Sequence, residues 1–544
     1  MSYQAYTTYN TKVTPQSEPI PGSKQVPNSA GGHSFEVDVW TRLNRFLILG
    51  TEGGTYYIRQ KELTKENAKS IKKCILEDGK RVVDTVLDIS DTGRAVKNDP
   101  ALFVLAMCAG LGDDFTRKYA LTNLPKIARI GTHLFHFAGY VEQFRGWGRG
   151  LRKAIANWYL LKETNSLAYQ SIKYQQRDGW SHKDLLRLSH PVTKDADKDL
   201  LFGWITKGFD ISKEDEYKDS LSIIWAFEKV KSVQTDVEAA KLVEEYKLPL
   251  EAVPSIHKTP KVLETAIPHL GLTAIIRNLG NYTKHGILTP QSDALKLITS
   301  RITDKGKLQK ARIHPLSVLQ AMQTYKSGKG LKGSGVWEVN PQIVDALDDA
   351  FYLSFDNIIP TNKRVMLALD VSSSMTWSGC GGMPSVTPRV GSAAMAMVTM
   401  RTESDYLVTG FTSSGWNDSS YSDGISVLDI TPKMRLDNVC DYMENLNFGG
   451  TDCSLPMLYA IENDLKFDAF VVYTDSETWA GKIHPVEALK MYRKKTGISA
   501  KLIVVGMEAN DFTIADPDDA GMLDIVGFDT AAPSVMSDFI REDL

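Results

Sequence analysis

Val365-Met366-Leu367-Ala368-Leu369-Asp370-Val371-Ser372-Ser373-Ser374-Met375 decides how the last third of this chain folds. Val365 to Leu369 is an apolar run suited to a central strand of a parallel sheet. It leads into Asp370-x-Ser372-x-Ser374, three hard oxygen donors on alternate residues, which one short turn can aim the same way. Oxygen-only ligation suits Mg²⁺ rather than Zn²⁺. Two later segments end in further donors: Gly449-Gly450-Thr451-Asp452, and Val471-Val472-Tyr473-Thr474-Asp475. Alone, an Asp-Val-Ser-Ser-Ser loop reads better as a strand-to-helix turn with an Asx cap. With Thr451 and Asp475 in order behind it, a metal site of Asp370, Ser372, Ser374, Thr451 and Asp475 is the better reading.

Around this segment apolar strands alternate with amphipathic helices. Strands are expected near 365–371, 405–411, 426–430, 469–475 and 500–507. Helices begin near Gly391, Met434, Leu455 and His484. The pattern predicts a doubly wound, Rossmann-like α/β domain over 361–544, with its ligands at the carboxyl ends of the strands. The five donor positions resemble the metal-ion-dependent adhesion site of von Willebrand factor A domains.

At 544 residues the chain should hold two to four domains. No apolar run approaches a membrane span and the start lacks a signal-peptide core, so no membrane partner is expected. Residues 1–29 are polar and rich in Pro, Ser, Thr and Gln, which reads as a disordered N-terminal arm. Cys74, Cys108, Cys380, Cys440 and Cys453 form no CxxC pair. A reducing, cytoplasmic setting is expected, without zinc or disulfides. The net charge of −3 hides a division: residues 361–544 carry 14 Lys and Arg against 26 Asp and Glu, so the first 360 residues are basic. The basic part suits a polyanion and the acidic part a cation.

Residues 30–360 show helix after helix at period 3.6, which suggests helix pairs stacked as a solenoid, although no clean sequence repeat is visible. Ser327 to Gly335 reads as a flexible connection and Pro360-Thr361 as the domain boundary. Three basic clusters stand out. In the first, Ser181 and Asp184 form a capping box for a helix that Pro191 stops. Lys183, Arg187 and His190 share one face of that helix, with Leu185 and Leu188 opposite. Lys173 and Arg177 are placed on the preceding helix, which is expected to end at Gly179, with Trp180 at the junction. In the second, Arg149, Arg152 and Lys153 oppose Leu151, Ile155 and Trp158. The third holds Lys310 and Arg312 and continues through Lys326, Lys329 and Lys332. A charge cluster is usually a solvated face; repeated basic faces on a solenoid make a groove suited to a phosphate backbone.

Other residues have ordinary readings. His133 and His136 sit among Leu134, Phe135 and Phe137 and read as packing residues. Cys453 has no evident catalytic histidine, although His484 lies downstream, and no catalytic residues are expected. Asp516, Asp518 and Asp519 lack the EF-hand glycine and terminal glutamate and read as a solvated turn. No GxxxxGK[ST] occurs.

Longer motifs carry a resemblance. Phe35 to Tyr57, Gly131-Thr-His-Leu-Phe135, Gly146-Trp-Gly-Arg149, Asp178-Gly-Trp-Ser-His-Lys-Asp-Leu-Leu-Arg187, Ile276-Arg-Asn-Leu-Gly280 and Ala311-Arg-Ile-His-Pro315 resemble the Ro autoantigen family, whose helical module is called TROVE. Gly450 to Pro456 and Phe512 to Asp519 continue the match. The resemblance implies a monomeric ring of HEAT-like helical repeats closed by the von Willebrand A domain. It implies Y RNA on an outer basic surface, with Lys173, Arg177 and His190 at the matching positions. It also implies single-stranded 3′ ends of misfolded noncoding RNAs in a central hole, in RNA quality control or as a scaffold for degradation. The approach Asn28 to His33 resembles bacterial members, which work with 3′ exoribonucleases. No DNA partner is expected. The alternative is a protein-interaction module in which the Mg²⁺ site captures an acidic residue of a partner and the helices are scaffold. Catalysis is not expected, since a metal held by hydroxyls without an evident base more often binds than cleaves.

Overall fold

The computed structural model describes residues 13–50, 68–331, 335–355, 358–376, 379–380, 383–413, 424–446 and 449–541. The first part of the expected arm (1–12), the family motif from Thr51 to Tyr57, and Lys332 lie outside these residues.

From Val39–Leu49 to Pro341–Leu353 the chain is a succession of helices, each packed chiefly on its neighbours in sequence. The sequence explains their stability locally. Arg149–Leu161, for example, buries Leu151, Ala154, Ile155, Trp158 and Tyr159 on one stripe. Its hydrophobic face, not its propensity, holds it to the array. Asp99–Leu111 lies deepest, with Ala101 through Ala109 all buried.

The α/β part forms a six-stranded sheet. Its spatial order is Met522–Val526, Lys501–Gly506, Ala469–Thr474, Val365–Asp370, Tyr406–Phe411, Ile425–Val427. The first five strands are parallel, and the last pairs antiparallel at the edge. Val365–Asp370 is buried throughout. Val365, Leu367 and Leu369 face one core, continuous with that of the helical part; Met366 and Ala368 face another, covered by Leu455–Glu462 and Pro485–Thr496. The expected strands and helices are present. Met522–Val526 and the terminal helix Ala532–Arg541 are additional.

Both ends of the helical array converge on one place. The Arg312 guanidinium, near the array's end, pairs with Asp91 Oδ1 at 2.7 Å, and its Nε donates to Asp91 O at 2.7 Å. His314 Nε2 lies 3.2 Å from Arg94 O and 2.8 Å from Phe528 O of the α/β domain. The α/β domain holds the first helices through Arg45–Asp524 (2.8 Å) and Arg94–Asp529 (2.6 Å). It holds the last through Lys326–Asp441, Arg401–Asp348 and the Ser385 amide on Gln320. The helical repeats are thus closed into a ring, with the α/β domain seated across the join.

Two expectations change here. Residues 13–29, read as part of a disordered arm, are held against the α/β domain. Gln25–Pro27 and His33–Glu36 pair antiparallel, and Phe512–Thr513 adds a third strand. Gln16 is fully buried. Polar side-chain bonds to the α/β loops order this segment, and a composition rule that counts apolar residues cannot register them. The Ser327 to Gly335 connection is also pinned: Trp337 stacks on Tyr325 and donates Nε1–H to the Tyr325 carbonyl at 2.9 Å.

Candidate metal centre and nucleic-acid interface

The parallel register sets Asp370 at the carboxyl end of its strand, one step beyond Leu369, which faces Tyr473. Thr474 Oγ1 therefore donates to Asp370 Oδ2 at 2.7 Å, and Asp475 follows directly. The Ser372 amide donates to Asp370 Oδ1 at 2.9 Å, closing the Asx turn, and the hydroxyls of Ser372 and Ser374 are 3.0 Å apart. Arg389 on the next helix donates to the carbonyls of Val371 and Ser372 and so fixes the loop backbone. The Ser373 amide donates to Gly449 O at 3.2 Å, joining this loop to the one that carries Thr451. All five candidate ligands are buried: Asp370 0%, Ser372 1%, Ser374 2%, Thr451 1%, Asp475 1% exposed.

Burial, and Asp475 beside it, push the Asp370 carboxyl up to about 7; burial raises Asp475 as well. Asp475 Oδ2 is buried without a hydrogen-bond partner. Two desolvated carboxylates with an oxygen left over, ringed by hydroxyls, fit a hard divalent cation, which would offset their mutual repulsion. Among the described residues no three His, Cys, Asp or Glu side chains cluster as a metal site, so the candidate set is this mixture of carboxylate and hydroxyl.

Sequence reasoning passed over the supports. The Asn510 side chain donates to Asp475 O, and Arg45 NH1 donates to Asn510 O and Oδ1, each at 2.9 Å. A residue of the first ring helix thus backs the loop of Asp475. Cys453 lies 3.6 Å from Thr474 Oγ1 and burial pushes its thiol far up. His484 instead meets Gln25 and the Glu18 carbonyl. Asp519 pairs with Arg493 and Asp518 with Lys24.

On the helical part, Ser181 and Asp184 form the expected capping box of His182–Ser189. Lys183, Arg187 and His190 are exposed, and Leu185 is buried with Leu186. The preceding element differs from expectation. Its helix ends at Lys173, and Arg177 lies in a two-stranded hairpin, Gln176–Arg177 with Trp180–Ser181. Asp178 (φ 51°) and Gly179 (φ 80°) form its turn. Asp-Gly is the dipeptide that a tight hairpin turn with two positive φ values selects, and that signal was in the sequence. His136 anchors the turn, its Nδ1 2.7 Å from Asp178 Oδ2. Half-buried Lys173 rests over Tyr169 and Tyr174 at 5.7 and 5.6 Å, and Trp180 leans on Trp147 at 5.3 Å between centroids. Arg149, Arg152, Lys153 and Lys310 are exposed. Among the described residues none of Lys183, Arg187, His190, Arg149, Arg152, Lys153 and Lys310 has an ion-pair partner. Arg312 and Lys326 differ: their charges are engaged by Asp91 and by Asp437 and Asp441, so they are clasps of the ring. His133 is buried and held down to about 3 by desolvation, a packing residue.

The TROVE domain model matches residues 26–244 and 251–324, and the Ro60 vWA domain model residues 364–540. The RNA-binding protein RO60 of Deinococcus radiodurans is 42% identical over 532 residues, 97% of this chain and 98% of that protein. The RNA-binding protein RO60 of Caenorhabditis elegans is 36% identical over 592 residues, 95% of this chain and 90% of that protein. The crystal structure of the Deinococcus radiodurans Ro (RSR) protein matches with a TM-score of 0.69 at 41% identity, covering 93% of this chain and all of that one. The chain belongs to the Ro60 family: a TROVE helical ring joined to a Ro60-type von Willebrand factor A domain.

Proposed function

We propose that this protein is an RNA-binding ring. Its outer basic face holds small noncoding Y RNAs, and its central hole admits single-stranded 3′ ends of misfolded RNAs, in quality control or as a scaffold that presents them to a 3′ exoribonuclease. The carrying observation is the basic set Lys173, Arg177, Lys183, Arg187 and His190, gathered by one hairpin and one capped helix. Phosphate contacts supply affinity and position in such interfaces. Relatives covering nearly the whole chain are named RNA-binding proteins, which supports binding without catalysis. Arg149, Arg152, Lys153 and Lys310 are assigned to the inner path of the single strand. No helix of the described residues is long and apolar enough to cross a membrane. The ring is assigned to the cytoplasm as a monomer.

Asp370, Ser372, Ser374, Thr451 and Asp475 are assigned to one Mg²⁺. When bound, the ion supplies a fixed positive charge where two carboxylates meet. A proton competes for Asp370, so Mg²⁺ affinity is expected to weaken as pH falls through about 7.

Salt titration of affinity for a structured RNA, with and without Mg²⁺, tests both parts. Counterion release predicts log K falling steeply and linearly with log salt. Asp370→Ala is expected to abolish Mg²⁺ binding and leave RNA affinity within about twofold, because the two sites lie on different domains. A salt-insensitive chain that binds acidic peptides only with Mg²⁺ present would favour the protein-capture alternative.

A further inference from the structure

The segment before the first ring helix does more than cover the α/β domain: its polar side chains bind the two loops that carry Thr451 and Asp475. Gln16 Nε2 donates to Asp452 Oδ1 at 2.8 Å and to Ile483 O at 2.9 Å. Its Oε1 accepts from the Thr478 hydroxyl and from the Gly481 amide at 3.1 Å. One buried amide therefore ties the neighbour of Thr451 to the loop that follows Asp475. A second set of bonds is denser. The amides of Ser29 and Ala30 donate to Glu477 Oε2 at 2.8 and 3.2 Å, Asn28 Nδ2 donates to Thr478 O at 2.7 Å, and the Ser34 hydroxyl donates to Ser476 O at 3.0 Å. Each of the three residues after Asp475 is thus held from the N-terminal segment.

Two glycines, one on each side, show that the seat is built for this occupant. A Cβ on Gly481 would lie 2.2 Å from Gln16 Nε2, and one on Gly32 would lie 2.0 Å from Thr478 O. The loops also lean on each other, since Trp479 and Ala480 both donate to Thr451 O. Moving either loop alone breaks bonds to the other and to the strap.

We infer that residues 14–34 form a strap that is an integral part of the metal centre, with Gln16 and Asn28 as positioning residues for the loops of Thr451 and Asp475. The inference rests on the Mg²⁺ assignment above. Strap docking and metal binding each need the same loop geometry, so each favours the other, and linkage makes the coupling reciprocal. Mg²⁺ tightens the strap, and a loosened strap weakens Mg²⁺. Thr14, whose amide and hydroxyl reach Glu487 on the helix Pro485–Thr496, belongs to the strap but touches neither loop.

The test uses the full chain and Mg²⁺ itself, followed by calorimetry and by amide hydrogen exchange. Gln16→Ala is expected to weaken Mg²⁺ by about tenfold, while Thr14→Ala stays within about twofold. In the unaltered chain, Mg²⁺ is expected to slow exchange at the amides of Gln16, Ser29 and Ala30; this readout needs no variant to fold. Mg²⁺ binding in the unaltered chain with no change in strap exchange, or with Gln16→Ala binding as tightly, overturns the strap. No Mg²⁺ binding by the unaltered chain overturns the metal assignment instead.

Discussion

Replacing Arg45 by Ala is expected to destabilise the seat of the α/β domain on the ring by about 3–5 kcal/mol, the range for breaking a buried ion pair from one side. The Arg45 side chain is 1% exposed and meets both oxygens of Asp524, at 2.8 and 2.9 Å, besides Asn510 and the Phe512 carbonyl. Asp524 lies inside the strand Met522–Val526, where burial already raises its carboxyl despite Arg45. Without the guanidinium that carboxylate is desolvated and unpaired. Arg45→Lys keeps the charge but not the fork that reaches all these acceptors, so it is expected to restore only part of the loss. Denaturant unfolding, with hydrogen exchange at the strand Met522–Val526, measures both. A loss under about 0.5 kcal/mol for Arg45→Ala would mean that the seat does not depend on this pair.

The second large effect concerns the outer basic face. Lys173→Ala, Arg177→Ala and His190→Asn together are expected to weaken binding of a structured RNA on the order of 100-fold, taking roughly 1 kcal/mol for each cation withdrawn from a phosphate. The slope of log K against log salt should flatten by about one unit for each such phosphate. Asn is chosen at His190 because that residue caps its helix at φ 46°, which Asn tolerates better than Ala. The fold should survive. The capping box and buried Leu185 and Leu186 hold the helix, and His136 on Asp178 holds the hairpin. Unchanged affinity and slope in a folded variant would remove this face from the RNA site.

The sequence was most legible where one physical rule acts alone. The apolar run before Asp370, the capping box of Ser181 and Asp184, and the opposed faces of Arg149–Leu161 are each set by local periodicity or local bonding, and the structure has them. It was least legible where long-range polar contacts decide. Met522–Val526 escaped notice because Asp524 interrupts its apolar pattern, and that aspartate exists for a partner 479 residues earlier in the chain. Residues 13–29 read as disorder because Gln16 and Asn28 do the work of a hydrophobic core with amide groups. Arg312 and Lys326 read as phosphate ligands because a one-dimensional charge count cannot show that Asp91 and Asp441 meet them across the ring. Arg177 was misplaced for a simpler reason: helical spacing from Lys173 was given more weight than the Asp-Gly turn beside it.

A ring closed by Arg312 on Asp91, with the α/β domain across the join, has a passage that a strand must thread and a duplex is too bulky to share. The most direct measurement is therefore the affinity of the full chain for one RNA bearing a single-stranded 3′ tail, against the same RNA made blunt, at one salt concentration. The account predicts tighter binding of the tailed RNA, with the difference abolished when Arg149, Arg152 and Lys153 are neutralised. Equal affinity for tailed and blunt RNA would leave a basic helical ring that binds RNA only on its outside, and would contradict the threading of 3′ ends.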